Sequence, residues 1–241
     1  MSGGQSAVRD VLLLNTRPAG TKDTLAQSVA PAVARHLKSL DCPLMRIVAL
    51  DVKVAVAPDE VAIFTSANAV RFAPPAKNRA AFCVGARTTA AAQTAGWQAE
   101  ELGLDAEQLI VALLQRKESR ALHHLSGVHH RGQVVETLRA AGLTARRSAL
   151  YDQALLPLPD TLQNVLVRQE TVIAPLFSPR AAGHFAQNAS DLQAVHVVAL
   201  SAAVAAPFAG LQVANLAIAT QPTAQHMAEA IENLVLELGA G

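Results

Sequence analysis

Short apolar runs ending in small polar residues recur along this chain, and Ala-rich or amphipathic stretches separate them. Val11–Leu14, Val61–Thr65, Ala80–Val84, Ala121–Leu125, Thr171–Phe177, Val195–Leu200 and Val213–Ala219 each read as a strand. A continuous apolar run bounded by turn residues suits a strand buried on both faces. Leu44–Val56 alternates in part and predicts two strands, and Ala145–Ala154 predicts a further extended stretch. Between them the pattern predicts helices. One starts near Lys22, and Pro31 either kinks it or opens a second, because proline is not accommodated mid-helix. One follows Ser66 and is stopped by Pro74-Pro75. One follows Gly85-Ala86-Arg87-Thr88 and ends at Gly96. Asp105 caps another through Leu114. Others cover Gln133–Ala141, ended by Gly142, then Thr161–Arg168, Pro179–Asn188 with proline in its first turn, Ser201 through Ala209, and Thr223 through about Leu238. Strands alternating with helices imply an α/β fold of parallel sheets flanked by helices.

Two stretches share one design. Val61–Val70 and Ala174–Ala182 each place a Phe just before a Ser (Phe64 and Ser66; Phe177 and Ser178), followed by an Ala-rich helix start. A strand tip that presents a hydroxyl and fresh helix N–H groups binds anions. Their separation suggests two similar halves. In parallel sheets, ligands bind beyond the carboxyl ends of the strands. Those ends carry Thr16 and Arg17, Thr65 and Ser66, Arg87 and Thr88, Ser126 and Gly127, Ser178 and Arg180, Ser201, and Thr220. Any one of these hydroxyls is explained as a helix N-cap. The whole set, in a chain with so few other polar residues in its core, favours a shared binding cleft.

Composition narrows the function. Of 241 residues, 51% are hydrophobic and 16% charged, the latter below the usual quarter for a soluble protein. Lys plus Arg number 20 against 19 Asp plus Glu, which excludes the basic stripe of a nucleic-acid binder. Cys42 and Cys83, the 2 cysteines, lack CxxC spacing and read as core thiols in a reduced, cytoplasmic setting. Met1–Asp10 precedes a Leu run too short for a signal segment. Leu192–Ala228 holds no Asp, Glu, Lys or Arg, yet Ser201, Pro207, Gly210, Gln212 and Asn215 divide it into a buried strand, helix and strand rather than a membrane span. The commonest nucleotide and hydrolase motifs are absent from the sequence. His123-His124 and His129-His130 read as solvated or cleft-edge residues, because adjacent strand residues face opposite ways and do not converge on a metal. Asp51 and Lys53 read as a solvated strand face. Tyr151, the single tyrosine, is either a residue packed at a domain junction or a phenol that donates to a leaving group.

The ordered set of motifs resembles the uroporphyrinogen-III synthase family. It comprises Leu14-Asn15-Thr16-Arg17-Pro18, Pro43-Leu44, Phe64-Thr65-Ser66-Ala67-Asn68-Ala69-Val70, and Val84-Gly85 with Thr88 and Ala90. Leu138 with Gly142 then precedes Tyr151, and Phe177-Ser178-Pro179-Arg180-Ala181, Leu200-Ser201 with Val204-Ala205, and Ala219 with Pro222-Thr223 complete it. The chain departs where Ala30-Pro31-Ala32 and Leu40-Asp41-Cys42 stand in place of the family's usual glycine. It departs again at Ser201-Ala202-Ala203-Val204, where some members carry Thr.

The resemblance implies two similar α/β domains, residues 1–42 with 154–241 and residues 43–153, joined by a two-stranded hinge with the active site in the interdomain cleft. It implies a small-molecule substrate, hydroxymethylbilane, a linear tetrapyrrole rich in carboxylates. It implies no metal or other cofactor, no nucleic-acid or membrane partner, a monomer, and a transient hand-over from the preceding pathway enzyme. The substrate-binding set would be Thr16, Arg17, Thr65, Ser66, Ala67, Asn68, Arg87, Thr88, Ser126, Gly127, Ser178, Pro179, Arg180 and Ser201. Arg17, Arg87 and Arg180 would give bidentate contacts, and Tyr151 would be catalytic. The rival expectation is a non-catalytic two-domain module that binds a small anion.

Overall fold

The computed structural model describes residues 11–20, 25–130 and 132–239. Met1–Asp10 and the helix start expected at Lys22 lie outside them. In chain order the elements are β1 (Val11–Asn15), α1 (Leu25–Ser28), α2 (Pro31–Ala34), β2 (Leu37–Asp41), β3 (Met45–Ala49), β4 (Glu60–Phe64), α3 (Ala67–Phe72), β5 (Ala80–Cys83), α4 (Ala86–Thr94), β6 (Gln98–Glu101) and α5 (Ala106–Arg116). There follow β7 (Ala121–Gly127), α6 (Val134–Ala140), β8 (Ala145–Leu155), α7 (Asp160–Val167), β9 (Val172–Leu176), α8 (Pro179–Asn188), β10 (Val195–Ala199), α9 (Ala202–Ala205) with a 3-10 turn at Ala206–Phe208, β11 (Asn215–Ile218) and α10 (Ala224–Gly239).

The chain forms two compact units. The first comprises residues up to Arg46 and from Leu155 onward; the second comprises Ile47–Ala154. The first unit has a five-stranded sheet in the order β11-β10-β9-β1-β2, and every pairing in it is parallel. Its apolar strands bury both faces, as an all-parallel sheet requires. Leu14, Val172, Ala174, Leu176, Val195 and Val197 pack with Leu162, Leu166, Phe185 and Phe208 on one side. Val11, Leu13, Ile173 and Val198 pack with Val33, Met227, Ile231 and Val235 on the other.

The second unit has the order β3-β8-β7-β4-β5-β6, with β4, β5, β6, β7 and β8 paired in parallel. Ala62 and Phe64 face Trp97, Val70 and Leu150, and Phe64 meets Trp97 edge-on at 5.2 Å. Val61 and Ile63 face Leu109, Leu113 and Leu138.

Several expectations are decided or corrected. Pro31 opens a separate helix, α2, where its missing N–H costs nothing. Leu44–Val56 holds one strand, β3, and the chain then leaves the ladder, so Asp51 and Lys53 lie in an irregular segment rather than on a strand. Two short strands, β2 and β6, are not evident in the apolar pattern. Both are edge strands with mostly polar residues. The uncharged stretch after Leu192 does fold as strand, helix and strand, but β11 is an edge strand whose Leu216 and Ile218 are exposed. Among the described residues no helix is long and apolar enough to cross a membrane.

Candidate functional site

Each sheet has a point where successive connections run in opposite directions along it, the place where open α/β sheets form a ligand crevice. In the first unit it lies between β1 and β9. Thr16-Arg17-Pro18 follows one strand and Phe177-Ser178-Pro179-Arg180 the other. Thr16 is buried, and its hydroxyl donates to the Pro175 carbonyl, tying the two strands together. The Arg17 guanidinium lies over the Phe177 ring, 4.5 Å from its centre, and its buried Nε meets no hydrogen-bond partner among the described residues. Ser178 caps α8, its Oγ accepting from the Ala181 N–H at 3.2 Å. Pro179 takes the first helical position and Arg180 the next, half-buried. Ser201 stands at the end of the neighbouring strand β10 and precedes the single turn of α9, without a capping bond from its side chain. Ser178→Ala leaves the α8 donor unmet and lowers stability by about 1 kcal/mol. A urea-unfolding midpoint equal to the wild type would show that the cap is idle.

In the second unit the reversal lies between β4 and β7. Thr65 and Ser66 follow β4, and Ser126 and Gly127 end β7. Ser66 caps α3, accepting from the Asn68 N–H at 3.2 Å, and Ala67 and Asn68 are half-buried in its first turn. The Thr65 hydroxyl is 3.1 Å from His124 Nε2. Arg87 and Thr88 lie one strand further out, in the first turn of α4. Arg87 is exposed and Thr88 buried. Gly85, at φ 75, makes the turn into that helix, a conformation that favours glycine. Ser126 and Gly127 are buried rather than open at a strand tip. Tyr151, 2% exposed, stacks on Phe72 with ring centres 5.7 Å apart.

The apolar pattern does not single out one residue at these strand ends. Arg147 donates from Nε to Ser126 Oγ at 2.8 Å, and from Nη2 to the Gly127 and Val128 carbonyls at 2.9 and 3.1 Å. Nothing along the chain distinguishes it from its neighbour Arg146; only the register beside β7 reveals the contact.

His123 and His124 also differ from expectation, whereas His129 and His130 are exposed as expected. His123 and His124 are fully buried, because β7 lies inside the sheet between β8 and β4 with both faces covered. Burial, assisted by His130, Arg147 and His123, lowers the His124 pKa to about 3. Burial and Arg146 lower that of His123 to about 4, against the pull of Glu60. Glu60, gripped by both Nε and Nη2 of Arg146, falls to about 2. Both rings are therefore neutral near pH 7. Cys42 and Cys83 are buried thiols, pushed up to about 12 and 11 by desolvation.

Together these features define a doubly wound α/β protein whose topological switch point in each unit carries hydroxyls and arginines at the strand ends. The family model described as uroporphyrinogen-III synthase HemD matches residues 24–229, and the chain belongs to that family. Its fold is shared with uroporphyrinogen-III synthetase from Helicobacter pylori 26695, at a TM-score of 0.67 and 17% identity, over 94% of this chain and 99% of that one. A mutant uroporphyrinogen III synthase from the extremely thermophilic bacterium Thermus thermophilus matches at a TM-score of 0.50 and 14% identity, over 94% and 99%. Among curated proteins there is no significant match. The family is one of lyases of haem biosynthesis that act on a small tetrapyrrole.

Proposed function

We propose that this protein is a hydro-lyase that removes the terminal hydroxyl of hydroxymethylbilane as water and closes the macrocycle with ring D inverted, giving uroporphyrinogen III. Loss of the hydroxyl leaves an azafulvene electrophile. Attack at the substituted carbon of ring D then gives a spirocyclic pyrrolenine, which rearranges and closes. The pyrroles are electron-rich and the hydroxyl leaves readily, so the protein's main task is geometric. It must hold the folded bilane so that the substituted carbon of ring D reacts rather than its free position. Tyr151 donates the hydrogen bond to the departing hydroxyl.

The observation that carries this reading is the placement of arginines and hydroxyls at the strand ends of both units, in a chain of this family. Helix N-termini and arginine forks hold carboxylates without a large net positive charge. Arg17, whose buried Nε meets no partner among the described residues, Arg87 and Arg180 take substrate carboxylates. Thr16, Thr65, Ser66, Ala67, Asn68, Thr88, Ser126, Gly127, Ser178, Pro179 and Ser201 complete the substrate-binding set. Residues 1–42 with 154–241 form one domain in this reading and residues 43–153 the other. The protein works without a cofactor, as a cytoplasmic monomer that receives its substrate from the preceding enzyme.

The test is an isomer assay. Hydroxymethylbilane incubated with the folded protein yields mainly the type III product, whereas the bilane alone closes to type I. Type I product alone in the presence of folded protein would reduce the chain to a binding module.

A further inference from the structure

Tyr151 owes its direction to an irregularity in β8. Ser126 of β7 pairs with Ala149, but Gly127 pairs with Tyr151, so Leu150 is an extra residue in the ladder. The Leu150 carbonyl is used on the other side, where it accepts from the Leu50 N–H. Alternation along a regular strand sends neighbouring side chains to opposite faces. Here Leu150 and Tyr151 both enter the cluster around Phe64 and Val70. Without the bulge, Tyr151 would turn to the face of Arg147. Bulges commonly re-aim a side chain in this way beside active sites.

Two residues hold this arrangement. Arg147 binds Ser126 Oγ together with the Gly127 and Val128 carbonyls, the very groups at the register shift. The Val128 N–H donates to the Tyr151 carbonyl, so the segment gripped by Arg147 is joined directly to Tyr151. Gly127 supplies the space. A Cβ there would stand 2.8 Å from Tyr151 Cε2 and Cζ and 3.1 Å from its Oη, closer than the ring tolerates. The phenol end of Tyr151 therefore packs close against Gly127, with Phe72 stacked on the ring.

We propose that Arg147 and Gly127 are positioning residues that lock the β7–β8 bulge and thereby fix the direction of the Tyr151 phenol. The proposal rests on the reading of Tyr151 as donor to the leaving hydroxyl. Arg147 acts through the strand end, and Gly127 acts by lacking a side chain.

Tyr151 is the single tyrosine, so protein labelled with ¹³C-tyrosine gives one ring signal that reports this residue alone. Arg147→Ala is expected to shift or broaden that signal and to lower kcat about tenfold with little change in KM, the loss that follows misplacing a catalytic group. Gly127→Ala should displace the same signal from the other side. Arg147→Lys keeps the charge but not the fork that grips several acceptors. It is expected to fall between Arg147→Ala and the wild type, and it serves as the readout should Arg147→Ala fail to fold. A Tyr151 signal unmoved in a folded Arg147 variant overturns the proposal. If such a variant raises KM alone, Arg147 is a substrate contact instead. A displaced signal with full turnover would uphold the positioning device and remove Tyr151 from the chemistry.

Discussion

Tyr151→Phe lowers kcat about 100-fold, the lower range for loss of a positioned proton donor, and leaves KM nearly unchanged. The substitution separates the two roles open to this residue. Phenylalanine retains the ring, so the stacking on Phe72 and the close approach to Gly127 survive. Only Oη is lost. A residue that merely packs would tolerate the change, whereas a residue that stabilises the departing hydroxyl acts chiefly in the transition state and shows its loss in kcat. Steady-state kinetics with isomer analysis reads both quantities. Turnover equal to the wild type, in a protein of unchanged stability, would assign Tyr151 to packing.

Acid should unfold the second unit early. His123 and His124 are buried neutral, with pKa values lowered from 6.5 to about 4 and about 3. In the unfolded chain both return to ordinary values and bind protons first as pH falls. Their contribution is complete above pH 6.5 and is lost progressively down to the folded values. Each lost proton gap is worth about 1.4 kcal/mol per pH unit. Glu60, lowered from 4.5 to about 2 by Arg146, acts with the same sign from pH 4.5 downward, because its carboxylate must be protonated to leave that pair. His196, lowered by burial, lies in β10 of the first unit and gives that unit a smaller trend of the same sign. Stability read from the urea midpoint should therefore fall between about pH 6.5 and about pH 4.5, by a few kcal/mol in total. A His123→Gln, His124→Gln double variant should lose most of that slope. A wild-type midpoint constant over this range would contradict the buried neutral state.

The elements most legible in the sequence are those with the most buried strands and the clearest caps. β4 and β9 are legible as unbroken apolar runs, and α8 as Ser-Pro followed by a helical pattern. β2 and β6 are not, because edge strands are fixed by backbone pairing while most of their side chains remain wet. The strand ends that carry Arg17, Ser66 and Ser178 can be read locally, since each closes an apolar run. Arg147 cannot. Its role depends on which strand lies beside β8 and in what register, a long-range property that no window along the chain contains. The same holds for Tyr151. Its identity is conspicuous, but its direction is set by one extra residue in a ladder. The burial of His123 and His124 follows from the position of β7 within the sheet, which strand order alone determines.

The first unit is assembled from both ends of the chain, and this sets an order of events during synthesis. Leu12 of β1 pairs with Val172 of β9, so β1 waits roughly 160 residues for its inner neighbour, on the order of 10 seconds of translation. The whole of Ile47–Ala154 emerges in that interval and can fold first. Meanwhile the apolar run Val11–Leu14 has only the polar edge strand β2 beside it. That nascent stage is when this chain is most exposed to aggregation and most in need of a chaperone.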